Sequence, residues 1–260
     1  MIGKNKIKLI KSLEYKKFRL KNNLFPAEGN KIVTELLRNG MEVAEIFATP
    51  EFLLSVESYL GSGVEITEIS KSDIEKASLL KSPQDVLALC PIPQYNIEEA
   101  EPSENLVLCL DGIQDPGNLG TILRLADWFG IQDIICSDDS VDIYNPKSIQ
   151  ASMGSFSRVK VHYCNLPDYF STIPTAIYIS GAFLEGENIY ETPLSRNGII
   201  VMGNEGKGIQ PALFPFIRTR FHIPSFSANV LHAESLNVAM ATAIVCSEFR
   251  RRNPLFKMER

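Results

Sequence analysis

From Leu106 onward the chain alternates short apolar runs with helix-patterned stretches, and three of the junctions are rich in glycine and amide side chains. They are Asp111-Gly-Ile-Gln-Asp-Pro-Gly-Asn-Leu-Gly120 running on to Arg124, Gly203-Asn-Glu-Gly-Lys-Gly208, and Ser235-Leu-Asn-Val238. Alternating strands and helices build a sheet flanked by helices, and ligands bind such sheets in the turns at the strand ends. Three turns carrying Asn, Arg, Glu and Ser in one such unit point to a single site.

Within this unit Leu106–Leu110, Ile134–Cys136, Val159–Tyr163, Ala176–Ser180, Ile199–Met202 and Ile217–Ile223 read as strands. Asn118–Phe129, Pro146–Met153 and Ser235–Phe249 read as helices, so the unit is α/β with a mostly parallel sheet. Upstream lies a smaller α/β unit. Its first 21 residues read as a basic helix or arm, and Leu24-Phe-Pro-Ala-Glu-Gly29 as a turn. A helix follows over Lys31–Asn39, with Ile32, Val33, Leu36 and Leu37 on one face and Gly40 as its stop. Val43–Ala48, Val64–Ile69 and Val86–Cys90 read as strands, and Glu51–Tyr59 and Ser72–Lys81 as helices. Residues 91–105 contain Pro91, Pro93 and Pro102 with Glu98, Glu99, Glu101 and Glu104. Proline and like charge resist packing, so this stretch reads as an extended linker.

The 260 residues, 45% hydrophobic and 22% charged, suit one large or two ordinary soluble domains. No run approaches the roughly 18 apolar residues of a membrane span, and the N-terminal lysines lack the apolar core of a secretory signal. Five cysteines without C-x-x-C spacing (90, 109, 136, 164 and 246) suggest buried reduced thiols in a cytosolic protein. No metal site is expected. The net charge of −5 argues mildly against nucleic acid, but residues 1–21 carry +7 and residues 250–260 carry +4. Two basic ends on an acidic body suit either a phosphate backbone or a solvated surface.

Gly112-x4-Gly117 has the spacing of a phosphate-binding loop, but Asn118 and Leu119 stand where its lysine and hydroxyl belong. What remains is a strand, a glycine turn, Asn118 as a candidate N-cap, and a helix bearing Arg124. Glycines in Gly203–Gly208 would let a ligand approach the backbone, and Glu205 would bond that ligand or orient a partner. Ser235 is a candidate N-cap of the last helix, whose free N–H groups suit an anion.

Together the pattern Asn118-x-Gly120-x3-Arg124-x-Ala126, Gly203-Asn-Glu205-x2-Gly208, Ile223-Pro224 and Ser235-Leu-Asn237-Val resembles the SpoU (TrmH-like) family of RNA ribose 2′-O-methyltransferases, of the SPOUT class. Phe25-x-x-Glu28-Gly29 and Ser82-Pro83-Gln84-x-Val86-Leu-Ala88 are similar to patterns of an L30e-like RNA-binding domain. The resemblance implies an L30e-like domain over 1–97, a linker over 98–105 and a SPOUT catalytic domain over 106–260. It implies a parallel sheet with flanking helices and a C-terminal trefoil knot, a homodimer formed through the catalytic domain, and S-adenosylmethionine as cofactor. By motif position Gly203, Gly208, Ile223 and Leu236 would line the cofactor pocket. Asn118, Arg124, Glu205, Ser235 and Asn237 would be the functional polar residues. The substrate would be structured RNA in the cytoplasm, ribosomal before transfer RNA.

The implied reaction is attack of a ribose 2′-hydroxyl on a sulfonium methyl. Arg124 would act as general base or as a clamp on the adjacent phosphate and developing alkoxide. Its guanidinium chemistry favours the clamp. The chain departs from the family pattern after Ile223-Pro224: ten residues, Ser225–Glu234, precede Ser235 where the pattern has six, without its usual methionine and glycine. His232 lies in that stretch and reads as a surface or packing residue, while His162 and His222, within strand patterns, read as structural. An RNA-binding protein that kept the fold without catalysis is the rival reading.

Overall fold

The structure, a computed structural model, describes residues 2–61, 63–227 and 234–252. The chain forms two units: the described residues of Met1–Gln94 with Asp142–Arg158, and Tyr95–Val141 with the described residues of Val159–Arg260.

The first unit begins with helices α1 (Lys4–Ser12) and α2 (Lys16–Asn22). The basic start is therefore a folded helical pair, with Ile10 and Leu13 fully buried. Strand β1 (Leu24–Glu28), α3 (Asn30–Arg38), β2 (Glu45–Ala48), α4 (Pro50–Val56), β3 (Glu65–Glu68), α5 (Lys71–Ala77) and β4 (Val86–Pro91) follow. The sheet order is β1-β4-β2-β3, antiparallel except between β2 and β3. The expected turn at Leu24–Gly29 is instead strand β1. Pro26 cannot donate to a ladder, but β1 lies at the sheet edge, where proline is tolerated, and Phe25 and Ala27 are fully buried. The two L30e-like patterns meet: the Asn30 N–H donates to Gln84 Oε1 (2.7 Å) and the Asn30 amide pairs with Asp85.

The second unit comprises β5 (Leu106–Leu110), α6 (Pro116–Trp128) and β6 (Asp133–Ser137) and, after α7 (Pro146–Ser152) in the first unit, β7 (Lys160–Cys164), α8 (Leu166–Thr172), β8 (Ile179–Asn188), β9 (Gly198–Met202), β10 (Thr219–His222) and α9 (Val238–Arg252). Its six strands run in the order β10-β8-β9-β5-β6-β7, every pair parallel. Strands β5 and β9 are central and buried along their whole length, as apolar runs covered on both faces should be. Leu110 pairs with Met202, so the turns after β5 and β9 emerge side by side. Helix α8 is an addition to the helices expected from sequence, although Asn165 caps it by accepting from the Asp168 N–H (3.1 Å).

Three expectations change. Helix α7 lies in the first unit, where Gln150 Nε2 donates to the Glu28 carbonyl (2.8 Å) and the Tyr144 and Phe156 rings pack on Phe25. The stretch read as an extended linker is docked: in the short 3-10 turn Ile97–Ala100, Ala100 is fully buried and Ile97 packs on the second unit's core. The glutamates Glu98 and Glu99 point outward from the same turn, so like charge does not oppose burial of the face three residues apart. At the C-terminal basic end, Arg250 donates to the carbonyls of Phe129 and Gly130 just past α6. Arg252 donates to those of Ile189, Tyr190 and Thr192, and both Arg251 and Arg252 donate to Glu248. Arg250 and Arg252 hold elements together, while Arg251 pairs within its own helix and stays exposed. Lys257 and Arg260 lie outside the described residues.

Candidate active site

The loop after β5 is held from two sides. The Gly112 and Ile113 N–H groups donate to Ser137 Oγ (2.8 Å) at the end of β6 and to Ser140 Oγ (3.1 Å) just beyond it. Asp111 is buried and accepts from the Gln210 N–H (2.6 Å) and Gln210 Nε2 (2.7 Å). Burial raises its pKa above the usual 3.8, opposed by the two Gln210 bonds and aided by nearby Asp139. The cap of α6 is Asp115, whose Oδ1 accepts from the Asn118 N–H (2.8 Å), with Pro116 in the first turn. This corrects the N-cap role expected of Asn118. The Asp-Pro dipeptide is a legible signal for it.

The loop after β9 closes on itself. Asn204 and Gly208 exchange backbone hydrogen bonds (3.0 and 2.9 Å), and Asn204 Oδ1 accepts from the N–H groups of Gly206 and Lys207 (both 2.9 Å). Asn204 Nδ2 donates to the Gly112 carbonyl (2.6 Å), tying this loop to the preceding one. Gly208 has φ +71°, a left-handed conformation that disfavours side chains. A Cβ on Gly203 would lie 2.3 Å from the Gly208 carbonyl carbon. These glycines were expected to make room for a ligand; the group that approaches Gly203 is the loop's own backbone.

The closed loop presents Glu205 to Asn118. Glu205 Oε1 accepts from Asn118 Nδ2 (2.9 Å), and Asn118 Oδ1 accepts from Asn237 Nδ2 (3.0 Å). Asn237 Oδ1 accepts in turn from the N–H groups of Ala239 (3.0 Å) and Met240 (3.3 Å) in the first turn of α9. The orientation of both amides is dictated from the two ends. Helix N–H groups can only donate and an ionised carboxylate can only accept, so each asparagine turns its oxygen toward α9 and its nitrogen toward Glu205. One residue from each of the three junctions thus joins a single hydrogen-bonded chain.

The other candidates stand outside that chain. Arg124 is exposed, about 120° around α6 from Asn118 by helix geometry, and has no hydrogen-bonding or ionic partner among the described residues. Ser235 is exposed and precedes the helix, so the N-cap expected of it is supplied by Asn237. Ile223 is half-buried just past β10, and Leu236 is 51% exposed just before α9. His162 Nε2 lies 2.9 Å from Asp133 Oδ1 in the core, and His222 Nδ1 lies 2.9 Å from the Gly186 carbonyl. His232 lies outside the described residues. Among those residues no group of three His, Cys, Asp or Glu is placed to hold a metal.

A closed glycine loop and a Glu–Asn–Asn chain thus stand at adjacent ends of a parallel sheet, the place where such sheets bind ligands. Residues 105–247 match the SpoU rRNA methylase family, and residues 4–88 match an MRM3-like substrate binding domain. The chain therefore belongs to the SpoU rRNA methylase family and is a methyltransferase. It is 32% identical to the 23S rRNA (guanosine(2553)-2′-O)-methyltransferase RlmP of Bacillus subtilis over 94% of this chain and 96% of that one. A solved TrmH-family structure from Porphyromonas gingivalis shares 40% identity over 97% of this chain and 99% of that one, with a TM-score of 0.87. An AdoMet-bound rRNA methyltransferase from Sinorhizobium meliloti shares 26% identity over 95% and 94%, with a TM-score of 0.84.

Proposed function

We propose that this methyltransferase uses S-adenosylmethionine to methylate a ribose 2′-hydroxyl of ribosomal RNA in the cytoplasm. The observation that carries the reading is the chain Glu205–Asn118–Asn237, which joins one residue from each of the three motifs. The S. meliloti likeness supports the cofactor, and the B. subtilis likeness supports the ribosomal substrate and the 2′-oxygen. The residues present fit the cofactor. Leu236 leaves apolar surface exposed just before Asn237, Ile223 is half-buried, and Glu205 offers a carboxylate to a sulfonium. Gly203, Gly208, Ile223 and Leu236 would hold it. When bound, S-adenosylmethionine supplies an electrophilic methyl on a good leaving group.

The chain's own residues position the acceptor. Arg124, without a protein partner among the described residues, binds the phosphate beside the target ribose and stabilises charge developing on the 2′-oxygen. A guanidinium remains cationic at neutral pH, so it suits that role better than removing a proton. Asn118 and Ser235 orient the ribose, and Glu205 and Asn237 fix the orientation of the Asn118 amide.

We read the first unit as the RNA-binding domain, supported by its family match. The boundaries 1–97, 98–105 and 106–260, with residues 142–158 lying in the first unit, and the C-terminal trefoil knot belong to the same reading. A homodimer through the catalytic domain is supported by apolar surface on α6 and α9, which pack together and leave Trp128 84% and Met240 55% exposed.

The test is Arg124→Ala, assayed for transfer of labelled methyl to ribosomal RNA and titrated calorimetrically with S-adenosylmethionine. Transfer is expected to disappear with cofactor affinity nearly unchanged. Normal turnover would sink the role given to Arg124, and a wild-type protein that binds RNA but not the cofactor would favour the non-catalytic reading.

A further inference from the structure

The two basic ends of the chain have opposite fates. The described C-terminal arginines are engaged with carbonyls and Glu248. On α1 and α2 most of the lysines remain in solvent: Lys4, Lys8, Lys11, Lys16, Lys17 and Lys21 are all exposed. Two of the seven lysines there have hydrogen-bond or ion-pair partners among the described residues: Lys6 pairs with Glu45 (2.6 Å), and Lys11 donates to the Ser78 carbonyl.

Lys11 and Lys21 suit the last turns of their helices, but the other exposed lysines are badly placed for helix stability. Neither helix has an acidic residue in its first turn, whereas Lys4, Lys16 and Lys17 stand at those positive helix ends. Lys4 and Lys8, and likewise Lys17 and Lys21, are like-charged pairs four residues apart, which repel on a helix surface. Yet the platform beneath them is anchored. Arg19 is 2% exposed; it donates to the carbonyls of Leu13 and Glu14 (both 2.8 Å) and to Asp142 Oδ2 through Nε (3.0 Å) and Nη2 (2.6 Å). Tyr15 and Leu20 stay 59% and 62% exposed among the lysines, and the Lys17 ammonium sits 4.9 Å from the Phe18 ring centroid. Folding does not account for a row of exposed ammonium groups that repel one another and crowd the positive helix ends. A polyanion would relieve both the repulsion and the helix-end penalty.

We propose that the outer face of α1 and α2, centred on Lys4, Lys8, Lys16, Lys17 and Lys21, is a phosphate-backbone binding surface for RNA. It positions substrate without reading its sequence. The inference rests on the functional reading above. RNA is favoured over other polyanions because the stretch matching a substrate binding domain begins at Lys4 and runs through both helices.

The experiment measures binding of the full chain to a fluorescein-labelled RNA hairpin by anisotropy across a salt series. Wild type is compared with Lys16→Gln/Lys17→Gln/Lys21→Gln, with Lys4→Gln/Lys8→Gln, and with the control Lys76→Gln/Lys147→Gln on other exposed positions. Each α1 or α2 variant should weaken binding, and the slope of log K against log salt should shrink by roughly 0.9 for each duplex phosphate no longer held. Melting temperature should hold or rise because repulsion is relieved, and cofactor affinity by calorimetry should not move. Wild-type affinity and slope in both variants overturn the proposal, as does an equal loss in the control. Should the triple variant fail to fold, the double variant decides by the same criteria. Anionic vesicles that displace RNA from wild type but not from the variants would also overturn it, assigning the face to a membrane. A wild-type protein with no affinity for RNA overturns the functional reading itself.

Discussion

Gly203 shows how one missing side chain organises the site. The loop after β9 doubles back so tightly that its own backbone occupies the space of a Cβ at this position. Gly203→Ala must push Gly208 and Ile209 away, which should cost about 1–3 kcal/mol of overpacking and displace Glu205 from Asn118. Urea denaturation and a methyl-transfer assay should both register the change; a variant with wild-type stability and activity would show that the loop opens freely. Asn204 and Asp111 belong beside it. Neither stands out in the sequence, because their partners are 92 and 99 residues away in the chain. Asn204 does carry a local signal, since asparagine readily accepts from N–H groups two and three residues on.

Helix α9 couples local stability to the site through its cap. Asn237 turns its oxygen to two N–H groups of the helix and its nitrogen to Asn118, so one side chain both starts the helix and orients the cluster. Asn237→Ser separates the roles. Serine caps about as well as asparagine, so stability should change by only a few tenths of a kcal/mol, while the bond to Asn118 is removed. Methyl transfer should fall by up to about a hundredfold through mispositioning at an unchanged melting midpoint. Equal loss of stability and activity would mean that Asn237 only caps. The motif Ser235-Leu-Asn-Val is legible as a helix start, but which residue caps it is not. Ser and Asn are both good caps, and the choice falls to where α9 begins in the fold, at Val238.

Assembly is the whole-molecule question, and exposed apolar surface frames it. Trp128 and Met240 are exposed large hydrophobic residues on two helices that pack together. Trp128→Glu should shift the protein from dimer to monomer in light scattering; a wild-type monomer would remove that reading. The alternation of apolar runs and helices already implied a parallel sheet, because burial on both faces requires nearly continuous apolar strands. Motif composition already named the family and the candidate polar residues, since residue type limits what can donate, accept or carry charge. Three-dimensional packing settled the rest. It sent α7 into the first unit, docked the proline-rich connection, and tied Arg250 and Arg252 to distant carbonyls while most N-terminal lysines stayed exposed. It also joined Glu205, Asn118 and Asn237 and left Arg124 outside their chain. Local pattern encodes which face of an element is apolar, but partners distant in sequence are chosen by strand order, and that order placed β5 beside β9.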